Sequence, residues 1–206
     1  MATAATHRRD VNHSPTVVVP KSVYRFSVEQ YHCLIEHSVF AHGERVELLD
    51  GWLVPKMPHS PPHDGSILLA QTQLLPFVPV SYVLRIQSSI TLATSEPEPD
   101  LVLAIGLPRR YVKHHPRAKD IGLLIEVADS SLSQDRDIKG PLYSRARIPI
   151  YWIVNLIDSC VEVYTLPRAG RSPAYRQRQD FTSNDAVPLV IEDREITRIP
   201  VRDLLP

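Results

Sequence analysis

The sequence has no excess charge of either sign: Lys plus Arg total 23 and Asp plus Glu total 23. That excludes a globally basic nucleic-acid coat but leaves room for a local basic groove. No apolar run approaches the ~20 residues that a membrane helix needs. The longest apolar pieces resemble Ile67 to Ala70 and Ile150 to Val154. Arg8 and Arg9 have no apolar segment behind them, so no secretory signal is visible and a cytoplasmic location, away from membranes, is expected. Cysteine is nearly absent. Cys33 and Cys160 form no CxxC pair, which argues against a zinc ribbon or a disulfide and for two small buried hydrophobes. Glycine is scarce, 7 residues against 19 prolines, so connections are stiff and few positions take positive φ freely.

A chain of 206 residues is one domain, or one domain with a tail, and buries a core without needing disulfides or a structural metal. Hydrophobic residues at 43% and charged residues at 22% match ordinary globular usage and exclude a disordered or collagenous chain. Residues 1–22 mix Ala, Thr, His, Arg and Pro without periodicity and read as a mobile tail; 23–206 reads as a single domain.

Ser27-Val28-Glu29-Gln30 is a capping box, and Tyr31, Leu34, Ile35 and Ser38 then share one helical face that Gly43 ends. Asp50-Gly51 between Val46–Leu49 and Trp52–Val54 is a hairpin signal, because a type I′ turn needs positive φ twice. A proline-rich loop from Lys56 to Pro62 leads to a helix capped by Asp64 and ended by Pro76. Alternation from Tyr82 to Leu92 predicts one long half-buried strand, followed by strands Leu101–Ile105 and Ile121–Val127. A helix over 133–147, a hairpin of Ile150–Asn155 with Cys160–Leu166, and a strand near Val187–Ile191 complete an α+β pattern.

Acids at strand positions carry the chemistry. Asp100 opens one strand and Glu126 sits inside the apolar run Leu123–Val127. A charge there is costly unless paired or metal-bound, and two close carboxylates raise each other's pKa unless a cation stands between them. Oxygen ligands of this kind suit Mg²⁺. The competing reading makes Asp100 a turn cap and Glu126 a residue on an exposed face. Lys139 either points back to these carboxylates from a helix, or merely pairs with Asp135 at i, i+4. Arg109, Arg110 and Lys113 belong to a basic stretch between the two strands, suited to phosphate contact or simply solvated. His63 either contacts phosphate or assists proton transfer, or is a helix N-terminal residue bonded to the loop.

Pro99-Asp100, Ile125-Glu126-Val127, Asp135 to Lys139, Tyr143 and Tyr151 to Val154, with Glu47 to Gly51 and His63 before them, resemble the Uma-two family of restriction endonucleases in the PD-(D/E)XK superfamily. The resemblance spans Tyr24 to Leu166. It implies a restriction-endonuclease-like core, a mixed or antiparallel sheet flanked by helices, with a Mg²⁺ or Mn²⁺ site and DNA as substrate. Asp100, Glu126 and Glu47 would hold the metal, and Lys139 would be the relocated lysine, since position 128 is Ala128. Gly140-Pro141 threatens the helix that aims Lys139. Arg147 and Asn155 stand where the family commonly has Gly and Asp. Double-strand cleavage would favour a homodimer. The rival readings are a catalytically inactive nucleic-acid or protein-binding module of the same fold, and a metal hydrolase acting on a small phosphorylated molecule.

Overall fold

A computed structural model describes residues 23–206 except Gly43, so the expected N-terminal tail and the Gly43 helix stop lie outside the described residues. Helix α1 (Val28–Glu36) starts on its capping box: the Ser27 hydroxyl accepts from the Gln30 N–H at 3.2 Å, and the Gln30 side chain accepts from the Ser27 N–H at 2.9 Å. Its buried face is narrower than the periodicity predicts. Val28 and Tyr31 pack on Leu48, whereas Ile35 and Ser38 are exposed. The strands β1 (Val46–Leu49) and β2 (Trp52–Pro55) form the hairpin that Asp50-Gly51 announces, with φ of 49° and 81° at the two turn residues.

Gly51 is fixed for two reasons. Its φ lies in the left-handed region, and an added Cβ would stand 2.6 Å from the Arg25 Cβ and 3.2 Å from the Phe26 carbonyl. Gly51→Ala is therefore expected to cost about 1–3 kcal/mol. Urea unfolding should show a lower midpoint at unchanged slope; a midpoint equal to the parent's would refute the strain.

Helix α2 (Pro61–Leu74) begins earlier than the sequence suggests. Ser60, not Asp64, is the cap, because Pro61 and Pro62 occupy the first helical turn, where a missing N–H costs nothing. The predicted long strand is cut to β3 (Tyr82–Ile86). Gln87 turns to φ 42°, and beyond it the chain faces Pro97 and Pro99, which have no N–H to give a ladder. Then follow β4 (Leu101–Ile105), β5 (Ile121–Ala128), the single turn α3 (Leu132–Gln134), a π-helical turn Asp135–Lys139, α4 (Gly140–Arg145), β6 (Ile150–Asn155), β7 (Cys160–Arg168), β8 (Ala174–Thr182), β9 (Ala186–Ile191) and β10 (Arg194–Pro200).

Six strands form one mixed sheet in the order β3-β4-β5-β6-β7-β8. Only β5 and β6 run parallel, joined by the α3–π–α4 crossover that parallel strands require. One face buries Leu101, Leu103, Leu123, Ile125, Val127 and Trp152 beneath α2 and the β9–β10 hairpin. The other buries Val102, Leu124, Ala128 and Ile153 beneath Leu142 and Tyr143 of α4. Cysteine departs from expectation: both are free, but Cys33 is exposed and Cys160 half-buried. Among the described residues no helix is long and apolar enough to cross a membrane.

Candidate active site

β4 and β5 are antiparallel with Leu101 opposite Ile125, so one step earlier Asp100 comes level with Glu126. Glu126 follows Leu124 by two and shares its face, under α4. Asp100, Glu126, Glu47, Lys139, Asp135 and His63 line a single pocket of about 80 Å³ at this end of the sheet. All six are buried.

The hydrogen bonds hold each acid in place. Asp100 Oδ2 accepts from the Val127 N–H at 2.9 Å and lies 3.3 Å from His63 Nε2. Glu126 Oε1 accepts from Lys139 Nζ at 3.0 Å and from the Tyr143 hydroxyl at 2.7 Å. Glu47, on β1, accepts the Glu98 N–H at 2.7 Å. Asp135 accepts from the Ser131 hydroxyl through Oδ2 at 2.6 Å; its Oδ1 has Lys139 Nζ at 3.5 Å and no hydrogen-bond partner among the described residues.

Lys139 reaches Glu126 because of Gly140-Pro141, not in spite of it. Pro141 cannot donate to the carbonyl of Asp137, and its ring would press on that group in an α-helix. The chain answers with a π turn, in which the Gly140 N–H bonds the Asp135 carbonyl five residues back. The helix therefore neither breaks nor restarts. The wider turn stacks Lys139 over Asp135 and aims both into the pocket. Gly140 fits there because an added Cβ would come within 3.3 Å of the Asp135 carbonyl.

Carboxylates outnumber ammonium groups around this pocket, with Glu47, Asp100, Glu126, Asp129 and Asp135 against Lys56 and Lys139, and the electrostatics follow from that imbalance. Burial pushes the Glu126 carboxyl up to about 8, against the pull of Lys139 and with the charges of Asp135, Asp100 and Glu47 adding to the rise. Burial raises Asp135 as well, again opposed by Lys139. Burial would lower Lys139, but the surrounding acids outweigh it and hold the ammonium well above its usual range. Asp100 goes the other way: desolvation pushes it up, yet the His63 bond and the Val127 N–H bring it below its ordinary value. Lys139 thus stays charged, and Glu126 is the acid that relieves the crowding of negative charge by taking up a proton.

The family profile that matches this chain is Uma2, described as "Putative restriction endonuclease", over residues 28–198. The chain belongs to the Uma2 family. A crystal structure at 1.96 Å of "a putative nuclease belonging to DUF820" from Anabaena variabilis ATCC 29413 has the same fold, with a TM-score of 0.63 and 15% identity over 87% of this chain and 97% of that one. Comparison with curated proteins gives no match. Arg147 takes φ 63°, a left-handed conformation that glycine adopts more readily. Asn155 is fully buried and donates to Glu162 at 2.8 Å and to Asp158 at 2.9 Å.

Two features differ from the sequence reading. Arg109, Arg110 and Lys113 do not line the pocket. The loop that carries them leaves the far end of β4, roughly five residues or ~17 Å along the strands from Asp100. Arg110 is already engaged, 2.8 Å from Asp120 and beside the Tyr111 ring. The second difference is His59, which faces Asp64 and His63 beside the acids. Its only sequence signal was an i, i+4 histidine spacing hidden across two prolines.

Proposed function

We propose that this protein is a divalent-metal-dependent nuclease hydrolysing DNA phosphodiester bonds. The observation that carries the reading is the buried, net negative pocket in which Lys139 is bonded to Glu126 beside Asp100 and Glu47. Such a donor set fits a hard cation: oxygen ligands in excess of the lysines Lys56 and Lys139, one of them, Asp135 Oδ1, without a hydrogen bond. Asp100, Glu126 and Glu47 would hold Mg²⁺ or Mn²⁺. Mg²⁺ commonly retains several waters, so not all three acids need touch the ion directly. When bound, the metal supplies an acidified water and neutralises charge on the phosphate.

The chain's own groups do the rest. Lys139 holds a proton donor beside Glu126 and places positive charge where phosphate charge develops. Tyr143 fixes the Glu126 carboxylate from behind, and His63 with the Val127 N–H fixes Asp100. Cutting both strands would need two such sites, hence a dimer.

Mg²⁺ or Mn²⁺ is expected to raise the melting temperature, since a ligand of the folded state stabilises it by mass action. At a hundredfold excess over Kd the gain is about 2.7 kcal/mol. Asp100→Ala should abolish the shift; equal shifts in parent and variant would move the ion elsewhere. Cleavage of plasmid and single-stranded DNA with Mn²⁺ tests the activity. Metal binding without cleavage of any nucleic acid would favour an inactive binding module, and hydrolysis of nucleotides alone a small-molecule hydrolase.

A further inference from the structure

We propose a second metal site, formed by His59, His63 and Asp64, that takes a borderline transition-metal ion such as Zn²⁺. Each residue offers one ligand atom, and the three atoms lie within 4.8 Å of one another. His59 Nδ1 is 3.2 Å from Asp64 Oδ1, and His63 Nδ1 is 3.8 Å from the same oxygen. Zinc bonds of about 2.0–2.1 Å in a tetrahedron separate neighbouring ligands by about 3.3 Å. Small side-chain movements would close the set. The two rings lie 4.4 Å apart at a tilt of 32°, so both present an edge to the same carboxylate.

The state of His63 points independently to a ligand. The residue is 8% exposed, and its Nδ1 has no hydrogen-bond partner among the described residues. Its Nε2 faces Asp100 Oδ2 at 3.3 Å. A neutral imidazole that gives one N–H to a carboxylate carries its lone pair on the other nitrogen, the arrangement found behind metal-bound histidines. His59 Nδ1 has conflicting neighbours. The Gln87 amide nitrogen, 3.0 Å away, asks it to accept, and Asp64 Oδ1 asks it to donate. One proton position cannot serve both. A cation takes the His59 lone pair and the Asp64 carboxylate together.

His59 and His63 line the mouth shared with the acids, and donor chemistry is what distinguishes the two sets of ligands. Two imidazoles and one carboxylate suit Zn²⁺, Co²⁺ or Ni²⁺, whereas Mg²⁺ prefers oxygen. The positive end of α2 opposes a cation only weakly, and Asp64 in its first turn offsets that field. The site stands apart from the nuclease reading, but Asp100 joins the two, because it orients His63.

Zn²⁺ titration of the full chain by calorimetry, with Co²⁺ absorption as a second readout, tests the site. One Zn²⁺ per chain is expected at this site, besides any ion that the acidic pocket holds, and Glu126→Gln removes that second contribution. His59→Ala and Asp64→Asn should each weaken binding by about tenfold or more, while Glu126→Gln should leave the Zn²⁺ affinity unchanged. The Asp64 side chain is 59% exposed, so its variant retains the fold. The proposal is overturned if both variants bind Zn²⁺ as the parent does, if the parent binds none at micromolar concentration, or if Glu126→Gln loses the ion equally. Cleavage with Mg²⁺ is scored separately, so failure of the nuclease reading is seen apart from failure of this site.

Discussion

Lys139→Ala is expected to slow DNA cleavage by about 10²–10³-fold, the range for removing one preorganised donor that stabilises transition-state charge, while DNA affinity changes little. The lost contact is the 3.0 Å bond to Glu126 and the charge beside the attacked phosphate, both of which matter most in the transition state. Lys139→Arg should not restore the rate. A planar guanidinium does not fit the compact ammonium's place under the π turn. Single-turnover cleavage beside a binding titration separates the two effects. Removing one partner of a buried pair destabilises by about 3–5 kcal/mol where the other stays charged. Glu126 has an escape, because it takes up a proton. Lys139→Met, which keeps most of the apolar stem, therefore serves as the folded control. Unchanged cleavage in Lys139→Met would end the relocated-lysine mechanism.

Glu126→Gln, measured in EDTA, is expected to gain stability over the parent as pH rises. Burial lifts the Glu126 carboxyl from 4.5 to about 8 in the folded protein. Between those values the folded state holds a proton that the unfolded chain has released. Stability from protonated Glu126 is full below the unfolded value and is lost as pH climbs through about 8. Glutamine imitates the protonated form and keeps acceptors for Lys139 and Tyr143. At 1.36 kcal/mol per unit the full window is several kcal/mol; relaxation around the Lys139 ammonium leaves an expected relative gain on the order of 2 kcal/mol between pH 5 and pH 8. Urea unfolding of both proteins at the two pH values gives the difference directly. An equal offset at both would mean that Glu126 does not titrate in this window.

The sequence by itself determined whatever depends on neighbours a few residues apart. Ser27 and Gln30 make their capping box with each other. Asp50-Gly51 closes a hairpin, and Ile150–Asn155 returns through Cys160–Arg168, because turn chemistry and alternation are local. The order of acids, Glu47, then Asp100, then Glu126 with Lys139 after it, was also legible. The apolar run around Glu126 posed a choice between a buried and an exposed charge, and the structure buries it.

Only the tertiary structure decided where these pieces meet. β8 is a polar, exposed edge strand whose residues carry no period of two, so nothing but its pairing with β7 identifies it. The end of β3 was set by prolines more than ten residues away on the facing segment. The aim of Lys139 rested on a π turn, which arises from the missing donor of Pro141 together with the packing of Tyr143 on Glu126. The basic loop joins the right strands but at the wrong end, since an antiparallel pair puts the connecting loop opposite the strand ends that hold the acids. His59, His63 and Asp64 meet across the start of α2, where a proline-broken stretch hides helical spacing. Contacts of this kind depend on sheet register and helix direction, which no local pattern of residue types encodes.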